Sequence, residues 1–334
     1  MTTSEAHAGR VLPDRIGRAA WWKRWEVILF AVAVAIFIYN ALASPYFLNP
    51  YNLSDATFNF TEKAPIAFAM AFLIIAGEID LSVASIIAIA STAMGAAAAA
   101  GAGPPVLVVV GIAVGIVAGA FNGFVVTYFR IPSIVVTIGT MSLFRGIAYV
   151  VLGDQVYRTY PPGFEWFGQG YVYWVFSFEF VLFLVLAVIF AIVLHLTTFG
   201  RRVYAIGNNP VAAQFSGVRV DRIRFLLFVL TGLMSGVASV LLTSRIASTR
   251  PTIATGFELQ VVTMVVLGGV NILGGSGTII GVVIAAFVMG LLTFGFGLFN
   301  VPGIVQSIFI GSLLIGVIAL PIVGGRIAAR WRGA

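Results

Sequence analysis

The chain has 334 residues, of which 60% are hydrophobic and only 9% are charged. A soluble domain is about 25% charged, so this chain has too few charges for a water-facing surface. That excludes a soluble enzyme, a nucleic-acid-binding protein and a disordered regulator. Ten spans of about 20 residues each would account for the apolar share, and the composition therefore predicts a polytopic membrane protein.

The basic residues have a distribution typical of membrane topology. The formal net charge of +7 would also fit a nucleic-acid partner, but the basic residues gather in a few patches between apolar runs. The chain has no cysteine, which excludes disulfides and thiolate metal sites. The two histidines, His7 and His195, cannot form a histidine cluster. We therefore expect no metal site and no nucleic-acid partner.

Ten apolar runs bounded by charge, proline or glycine are predicted to be membrane spans. They lie at residues 27–44, 64–77, 81–101, 105–129, 131–151, 173–197, 223–243, 258–275, 278–297 and 303–321. Even numbers of runs separate the basic N-terminal tail, the basic loop 198–224 and the basic C-terminal tail. Because basic residues favour the cytoplasmic side, we predict an all-α, polytopic transmembrane helical bundle of about ten spans with both termini in the cytoplasm.

The N-terminal region allows two interpretations. In the first, residues 1–26 are a cytoplasmic tail, residues 27–321 form the transmembrane domain, and residues 322–334 form the C-terminal tail. In the second, residues 1–43 are a signal peptide that ends in the small-x-small triplet Ala41-Leu42-Ala43. The basic beginning is unusually long for a signal peptide, which favours an uncleaved first span. The mass of the purified chain would distinguish the two.

The first polar interruption is AGEIDLSVAS, which carries Glu78 and Asp80 between two apolar runs. A carboxylate at membrane depth costs about 2.5–3.5 kcal/mol and usually has a partner or a function. Either the segment is a tight cytoplasmic turn in which Asp80 or Ser82 caps the next helix, or the span is broken and the carboxylates lie beside a polar path. Both interpretations place the segment close to the mouth of a path.

Glycine recurs at every fourth position of GIAVGIVAGAFNG, where Gly111, Gly115, Gly119 and Gly123 share one helix face. A shorter repeat, LTGLMSGVA, occupies residues 230–238. Small residues at this spacing let helix backbones approach closely in lipid. The pattern predicts a compact bundle and carries no information about what is transported.

The longest outer segment, residues 152–172, contains two adjacent prolines and six aromatic residues. Tyrosine and tryptophan are enriched where a membrane meets water. The segment is therefore predicted to be an interfacial belt or a capping loop, and docking of a partner is the alternative.

The loop 198–224 reads TTFGRRVYAIGNNPVAAQFSGVRVDRIR from residue 197 onward. Asn209 suits a helix N-cap, Pro210 the first helical position and Gly217 the C-terminal stop. We predict a short cytoplasmic helix over about 210–216, flanked by two arginine clusters. Its small residues Ala212 and Ala213 suggest a knob that docks into another protein, and an ordinary positively charged loop is the alternative.

A second interruption is VVLGGVNILGGSGTIIG, with five glycines and Asn271 between residues 268 and 277. Interrupted segments in both halves can mark the site of repeat-built transporters, but these two breaks follow the second and the eighth runs, so a five-plus-five inverted repeat does not align them. Other polar residues within spans are weaker candidates, namely Asn122, Thr137, Thr140, Arg145, Glu258 and Gln260.

No catalytic set is recognisable. A phosphate-binding P-loop ends in a lysine followed by serine or threonine, and the only lysines are Lys23 in WWKRW and Lys63 in TEKAP. We therefore expect no enzyme activity and no cofactor in this chain. If transport is driven by ATP, a separate polypeptide hydrolyses it.

Four stretches together resemble the permease subunits of bacterial ABC sugar importers of the ribose type. They are AGEIDLSVAS at 76–85, FNGFVVTYFRIPSIVVTIGTMSLFRGIAYV at 121–150, GRRVYAIGNNPVAAQFSGVRVDRIR at 200–224 and VVLGGVNILGGSGTIIG at 265–281. Members of that family often read GGIDLS where this chain reads GEIDLS, so Glu78 is an added charge. The stretch FGFGLFNVPGIVQSIFIG resembles the branch for rhamnose or the furanosyl quorum signal.

The resemblance implies about ten spans in the bacterial inner membrane. It also implies a second permease, identical or paralogous, cytoplasmic ATPase subunits, and a periplasmic binding protein that delivers the sugar. In such importers a coupling helix of the permease sits in a cleft of the ATPase. Carried over to this chain, the coupling residues are Gly200, Arg201, Arg202, Gly207, Asn208, Asn209, Pro210, Ala212, Ala213 and Gly217.

Two further sets of residues follow from this interpretation. Arg245 and Arg250, in an outer loop, are candidates for docking the binding protein. The candidates for the path are Glu78, Asp80, Ser82, Asn122, Thr137, Thr140, Glu258 and Asn271. The main alternative is a secondary transporter that uses an ion gradient through Glu78 or Asp80, and an intramembrane enzyme or a structural membrane protein is a second.

Overall fold

The computed structural model describes the backbone of residues 25–153 and 155–332, and the side chains as far as residue 319. Nearly all of the predicted N-terminal tail and the basic side chains of the C-terminal tail lie outside the described residues. The elements are α1 (Trp25–Ala43), α2 (Pro50–Thr61), α3 (Ala64–Ile75), α4 (Val83–Ala99), α5 (Pro104–Phe129), α6 (Ser133–Leu152), α7 (Trp166–Gln169), β1 (Tyr171–Tyr173), β2 (Phe176–Ser177), α8 (Phe178–Leu196), α9 (Thr198–Asn208), α10 (Pro210–Phe215), α11 (Val220–Ile246), α12 (Phe257–Leu267), α13 (Ile279–Leu298) and α14 (Gly303–Arg332).

Seven helical segments are long and apolar enough to cross a membrane, which makes the chain a multi-pass helical membrane protein. They are Trp25–Ala43, Pro50–Ile75, Pro104–Phe129, Ser133–Leu152, Phe178–Leu196, Val220–Ile246 and Ile279–Leu298. The shorter apolar helices are Val83–Ala99, Phe257–Leu267 and Gly303–Ala319. Each of the ten predicted runs contains one of these helices, and the count of ten spans stays a prediction.

The predicted span at 64–77 begins earlier in the structure. Helix α2 precedes α3 with only Glu62 and Lys63 between them, and the two together form the segment Pro50–Ile75. The side chain of Asn49 caps α2 by accepting a hydrogen bond from the Tyr51 amide. Helix α2 is not among the predicted apolar runs, because half of the residues in its sequence, PYNLSDATFNFT, are polar.

Helices α5 and α11 pack with their backbones in contact. A Cβ atom built on Gly115 would lie 2.8 Å from the Cα of Gly236, and one on Gly119 would lie 2.8 Å from the Cα of Gly232. Such distances leave no room for a side chain on either helix. The predicted close packing of the glycine face is therefore confirmed.

Helix α3 lies at the centre of the bundle. Every residue from Ala64 to Ile75 is buried, and the surrounding helices are α8, α11, α12 and α13 together with α9. An α-helix that is hydrophobic all round is expected to be buried in this way. The arrangement places the break after α3 inside the protein.

Residues 155–177 cover one end of α11. The amide of Gly168 donates to the Ser244 hydroxyl at 2.8 Å, and Tyr157 and Thr249 exchange two backbone hydrogen bonds of 3.1 and 2.8 Å. The capping interpretation is confirmed for this part. The tip of the hairpin β1–β2 leaves Tyr173 and Trp174 exposed, which is the pattern of an interfacial belt.

Candidate functional site

Helix α3 ends in a glycine turn. Gly77 has φ +83°, and the turn is closed by the Gly77 amide to the Ile74 carbonyl at 2.9 Å and by the Glu78 amide to the Leu73 carbonyl at 3.0 Å. This pair of bonds defines the Schellman motif, in which glycine adopts the left-handed conformation at low cost. The chain then runs through residues 78–82 before α4 begins.

Helix α12 ends in the same way, which corrects the predicted run at 258–275. Gly269 has φ +85°; its amide donates to the Val266 carbonyl at 2.9 Å, and the Val270 amide donates to the Val265 carbonyl at 3.3 Å. The helix therefore stops at Leu267. The glycines that punctuate the sequence here are the physical reason.

Helices α3 and α12 lie side by side and run in the same direction. At their beginnings, the Lys63 Nζ lies 4.6 Å from the centroid of the Phe257 ring. At their ends, the Gly275 amide donates to the Ile75 carbonyl at 2.9 Å. The two interruptions that sequence reasoning could not align are thus neighbours. The sequence does carry a signal for each helix end, since an apolar run is followed by glycine in FLIIAG and in VVLGG.

The loop 198–224 contains two helices. The predicted helix over about 210–216 is confirmed as α10, where the Asn209 Oδ1 accepts the Ala212 amide at 2.9 Å and Gly217 has φ +83°. Helix α9 was not predicted. Its exposed face carries Arg201 and Arg202, whereas Val203 and Ile206 are buried.

The end of α9 contacts both breaks, and we call this contact the junction: Tyr204, Gly207 and Asn208 with Ile75 and residues 274–277. The Tyr204 hydroxyl donates to the Gly277 carbonyl at 2.6 Å. The Asn208 Nδ2 donates to the Gly275 carbonyl at 3.2 Å. A Cβ on Gly207 would collide with the carbonyl oxygen of Ile75. The junction therefore brings three distant parts of the sequence together.

The predicted coupling residues divide into an inner and an outer set. Gly200, Gly207 and Ala213 face the protein, since Gly200 packs on the Leu194 carbonyl and Ala213 is only 5% exposed. The exposed ones are Arg201, Arg202, Asn208, Asn209, Pro210, Ala212 and Gly217.

Two large apolar side chains that α10 leaves exposed were missed by sequence reasoning. Phe215 is 89% exposed and Val211 is 60% exposed. The docking knob was predicted at the small residues Ala212 and Ala213, although the aromatic Phe215 lies only two positions after Ala213. Exposed apolar residues of this kind mark an interaction site when polar residues surround them, and Arg219 and Arg222 are exposed nearby.

Three of the predicted path residues, Asp80, Ser82 and Asn122, form one buried network, and Thr137 lies beside it. The Asp80 Oδ1 accepts the Ser82 amide at 2.8 Å and the Ser82 hydroxyl at 2.6 Å. The Asn122 Nδ2 donates to the Ser82 Oγ at 2.8 Å, and the Thr137 hydroxyl lies 3.5 Å from the Ile79 carbonyl. Asp80 is fully buried, and burial raises the pKa of its carboxyl group. Residues 76–77 form a turn and residues 78–82 an irregular segment, and the depth of this segment in the membrane stays a prediction.

The remaining path candidates do not join this network. The Thr140 hydroxyl lies 3.4 Å from the Thr137 carbonyl of its own helix. Asn271 accepts the Leu273 amide at 3.0 Å within its turn. Glu258 stands at the beginning of α12, at the other end of that helix. Their role in a path stays a prediction.

Glu78 forms an ion pair with Arg224, at 3.0 Å between Oε1 and Nε. The pair links the break after α3 to the first turn of α11. It borders an open cavity of about 400 Å³ that is lined by α10, the α5–α6 turn and α11, with Val211 and Asp221 in its wall. The added charge at position 78 therefore has a partner in the segment that follows α10.

Reversing this ion pair tests its contribution to stability. Glu78→Arg places two like charges together, and we expect it to reduce the free energy of unfolding by about 1 kcal/mol, the upper end of the range for solvent-accessible ion pairs. The double variant Glu78→Arg/Arg224→Glu should recover most of the loss in thermal unfolding of the detergent-solubilised protein. Equal instability of the single and double variants would show that the pair does not stabilise the fold.

A buried charged cluster lies at the α2–α3 connection, and sequence reasoning missed it. Arg245 pairs with Glu62 at 3.0 Å, and the Thr61 hydroxyl donates to Glu179 at 2.8 Å. Lys63 is buried beside them. The signal was Glu179 inside an apolar run, since a charge there usually has a partner. Arg245 is thus engaged within the chain, whereas Arg250, the second docking candidate, is exposed.

Comparison with known proteins identifies a matching family and relatives of the chain. The family model described as branched-chain amino acid transport system / permease component matches residues 59–318. The chain is 34% identical over 294 residues to the ribose import permease protein RbsC of Bacillus subtilis (strain 168), with 87% of this chain and 90% of that protein covered. It is 33% identical over 300 residues to the L-arabinose transport system permease protein AraH of Escherichia coli (strain K12), covering 89% and 90%.

A third relative is the autoinducer 2 import system permease protein LsrD of Escherichia coli O9:H4 (strain HS), which is 33% identical over 300 residues, covering 88% of this chain and 91% of that protein. No solved structure matches the chain significantly.

Proposed function

Since the chain belongs to the family of branched-chain amino acid transport system / permease components, we propose that it forms the membrane path for a sugar or a sugar-like solute. It is a permease subunit of an ABC importer and not itself an enzyme. The substrate class rests on the relatives, which carry the names of ribose, L-arabinose and autoinducer 2 transport proteins. A neutral solute needs only hydroxyl, amide and carboxylate groups along its path.

The observation that supports ATP-driven coupling is the exposed surface of α10. Phe215 and Val211 project from a helix whose backbone is fixed at both ends, by Asn209 at the beginning and by Gly217 at the end. A rigid apolar knob with an arginine rim fits a cleft with an acidic edge. In the proposed mechanism, closure of the ATPase dimer displaces α10, and the helix bundle alternates between outward-open and inward-open states.

The proposal includes a defined assembly. Two cytoplasmic ATPase subunits bind the loops 198–224 of this chain and of a second permease copy or paralogue, and a periplasmic binding protein delivers the solute. The chain lies in the bacterial inner membrane with about ten spans and both termini in the cytoplasm. On the outer face, Arg250 is the docking candidate that is free to reach the binding protein.

Reconstitution in proteoliposomes tests the function. Vesicles that contain this chain, its ATPase and its binding protein should accumulate radiolabelled sugar only when ATP is supplied to the ATPase side. Vesicles with this chain alone and a proton or sodium gradient should not. Uptake by the chain alone under an ion gradient would instead support the ion-coupled transporter, for which the contacts of Glu78 and Asp80 offer no support.

A further inference from the structure

We propose that Tyr204, Gly207 and Asn208 are positioning residues that make both broken helices, α3 and α12, move with α9 and α10 as one body. This inference rests on the proposed function, because it concerns how a displacement of α10 reaches the bundle. It names the contact through which that displacement passes, namely the junction between the end of α9 and the two breaks.

The contacts at the junction are direct and involve backbone atoms. At the junction, the Ile75 carbonyl accepts the Gly275 amide at 2.9 Å, and Gly207 packs against the same carbonyl. The Asn208 Nδ2 donates both to the Gly275 carbonyl at 3.2 Å and to the Tyr204 carbonyl at 2.8 Å. Backbone atoms in contact have no rotamers that could absorb a shift, and packed interiors transmit strain. If α9 is displaced, either both breaks move with it or the contacts at the junction are broken.

The connection between α9 and α10 is short and rigid. Only Asn209 lies between α9 and α10, and its side chain caps α10 while its amide donates to the Ala205 carbonyl at 3.1 Å. One residue thus ties the two helices together. Gly217, in the left-handed conformation, comes after α10 and before α11. The rigid connection therefore joins α10, through Asn209, to the junction at the end of α9.

The junction is connected along the chain to α3, α4 and α13. Ile75 is the last residue of α3, which is buried along its whole length, and the chain leads from it directly to Asp80 and Ser82 at the beginning of α4. On the other side, residues 274–277 lead to Thr278, which caps α13 by accepting the Gly281 amide at 3.1 Å. The junction is therefore placed to move two helix ends and two helix beginnings together.

The test of coupling uses Tyr204→Phe/Asn208→Ala, which removes side-chain hydrogen bonds and leaves the glycine contacts intact. In the reconstituted importer we expect the solute transported per ATP hydrolysed to fall by about 25-fold, because each of the two lost hydrogen bonds, to the Gly277 and Gly275 carbonyls, contributes on the order of fivefold. Tyr204→Phe alone removes the hydrogen bond to the Gly277 carbonyl at a position outside the predicted coupling residues, and it should leave binding of the ATPase unchanged. The matched control is Ser216→Ala, which removes a hydrogen bond confined to α10. Wild-type stoichiometry in the double variant would overturn the proposal.

A distance measurement tests the one-body motion independently of stability. The chain has no cysteine, so spin labels can be attached to cysteines introduced at the exposed positions Arg202, Ser276 and Arg130. Between the nucleotide-free and the ATP-trapped complex, the 202–276 distance should stay constant while the 202–130 distance changes. A change in the 202–276 distance, or no change in either, would overturn the proposal. If the unlabelled wild type shows no ATP-dependent uptake, the proposed function has failed instead.

Discussion

Replacing Gly115 with valine is expected to remove nearly all folded protein from the membrane. A Cβ at this position would lie 2.8 Å from both the Cα and the backbone nitrogen of Gly236, and neither atom can move without displacing α11. Ordinary overpacking of a core costs about 1–3 kcal/mol because side chains can adjust; here the obstacle is backbone, so the cost exceeds that range. The measurement is the yield of monodisperse protein in detergent.

The matched control is Gly146→Val in α6, where a Cβ would meet nothing within 4 Å. This variant carries the same change in helix propensity, so any difference between the two comes from the contact between α5 and α11. A normal yield of the Gly115 variant would contradict the described approach of these helices.

Replacing Phe215 with alanine is expected to weaken binding of the ATPase by about 30-fold or more. Aromatic residues at the centre of an interface often contribute at least 2 kcal/mol, and a difference of about 1.4 kcal/mol is tenfold in affinity. Because the side chain is 89% exposed, its removal leaves no cavity in the chain, and the thermal stability of the isolated permease should be unchanged. The affinity can be measured by titrating the purified ATPase onto the permease in nanodiscs.

Two variants serve as references for this measurement. Tyr173→Ala removes an aromatic ring that is 75% exposed on the hairpin β1–β2, and it should leave ATPase binding unchanged. Ala213→Trp should lower the stability of the isolated permease, because Ala213 is buried. If Phe215→Ala binds like wild type, α10 does not dock through its aromatic knob.

The positions of the apolar helices could be predicted from the sequence, because charge, proline and glycine bound each run. Helix α10 could also be predicted, since Asn209, Pro210 and Gly217 are local signals. Helix α2 could not, because its burial depends on contacts with α8 and α13 that no local pattern reveals. The glycine face of α5 predicted close packing but not its partner, which lies more than 100 residues later in α11.

The candidate site was only partly predictable, for a similar reason. Asp80, Ser82 and Asn122 were singled out because polar residues are rare in apolar runs, and they do meet. The junction was not predicted, because Gly207 owes its role to a carbonyl 132 residues earlier in the chain, that of Ile75. A glycine inside a polar loop has many explanations, and only the fold distinguishes among them.

The complete burial of α3 has a consequence for biogenesis. Helices α12 and α13 cover part of this early segment, and the ribosome adds them almost 200 residues after α3 has been made. Contacts so distant in sequence form late, and domains assemble as synthesis proceeds from the N-terminus. Until α12 and α13 have been made, the surface of α3 that they later cover contacts either lipid or the insertion machinery. The centre of the finished bundle is therefore among the last parts of the molecule to reach its final surroundings.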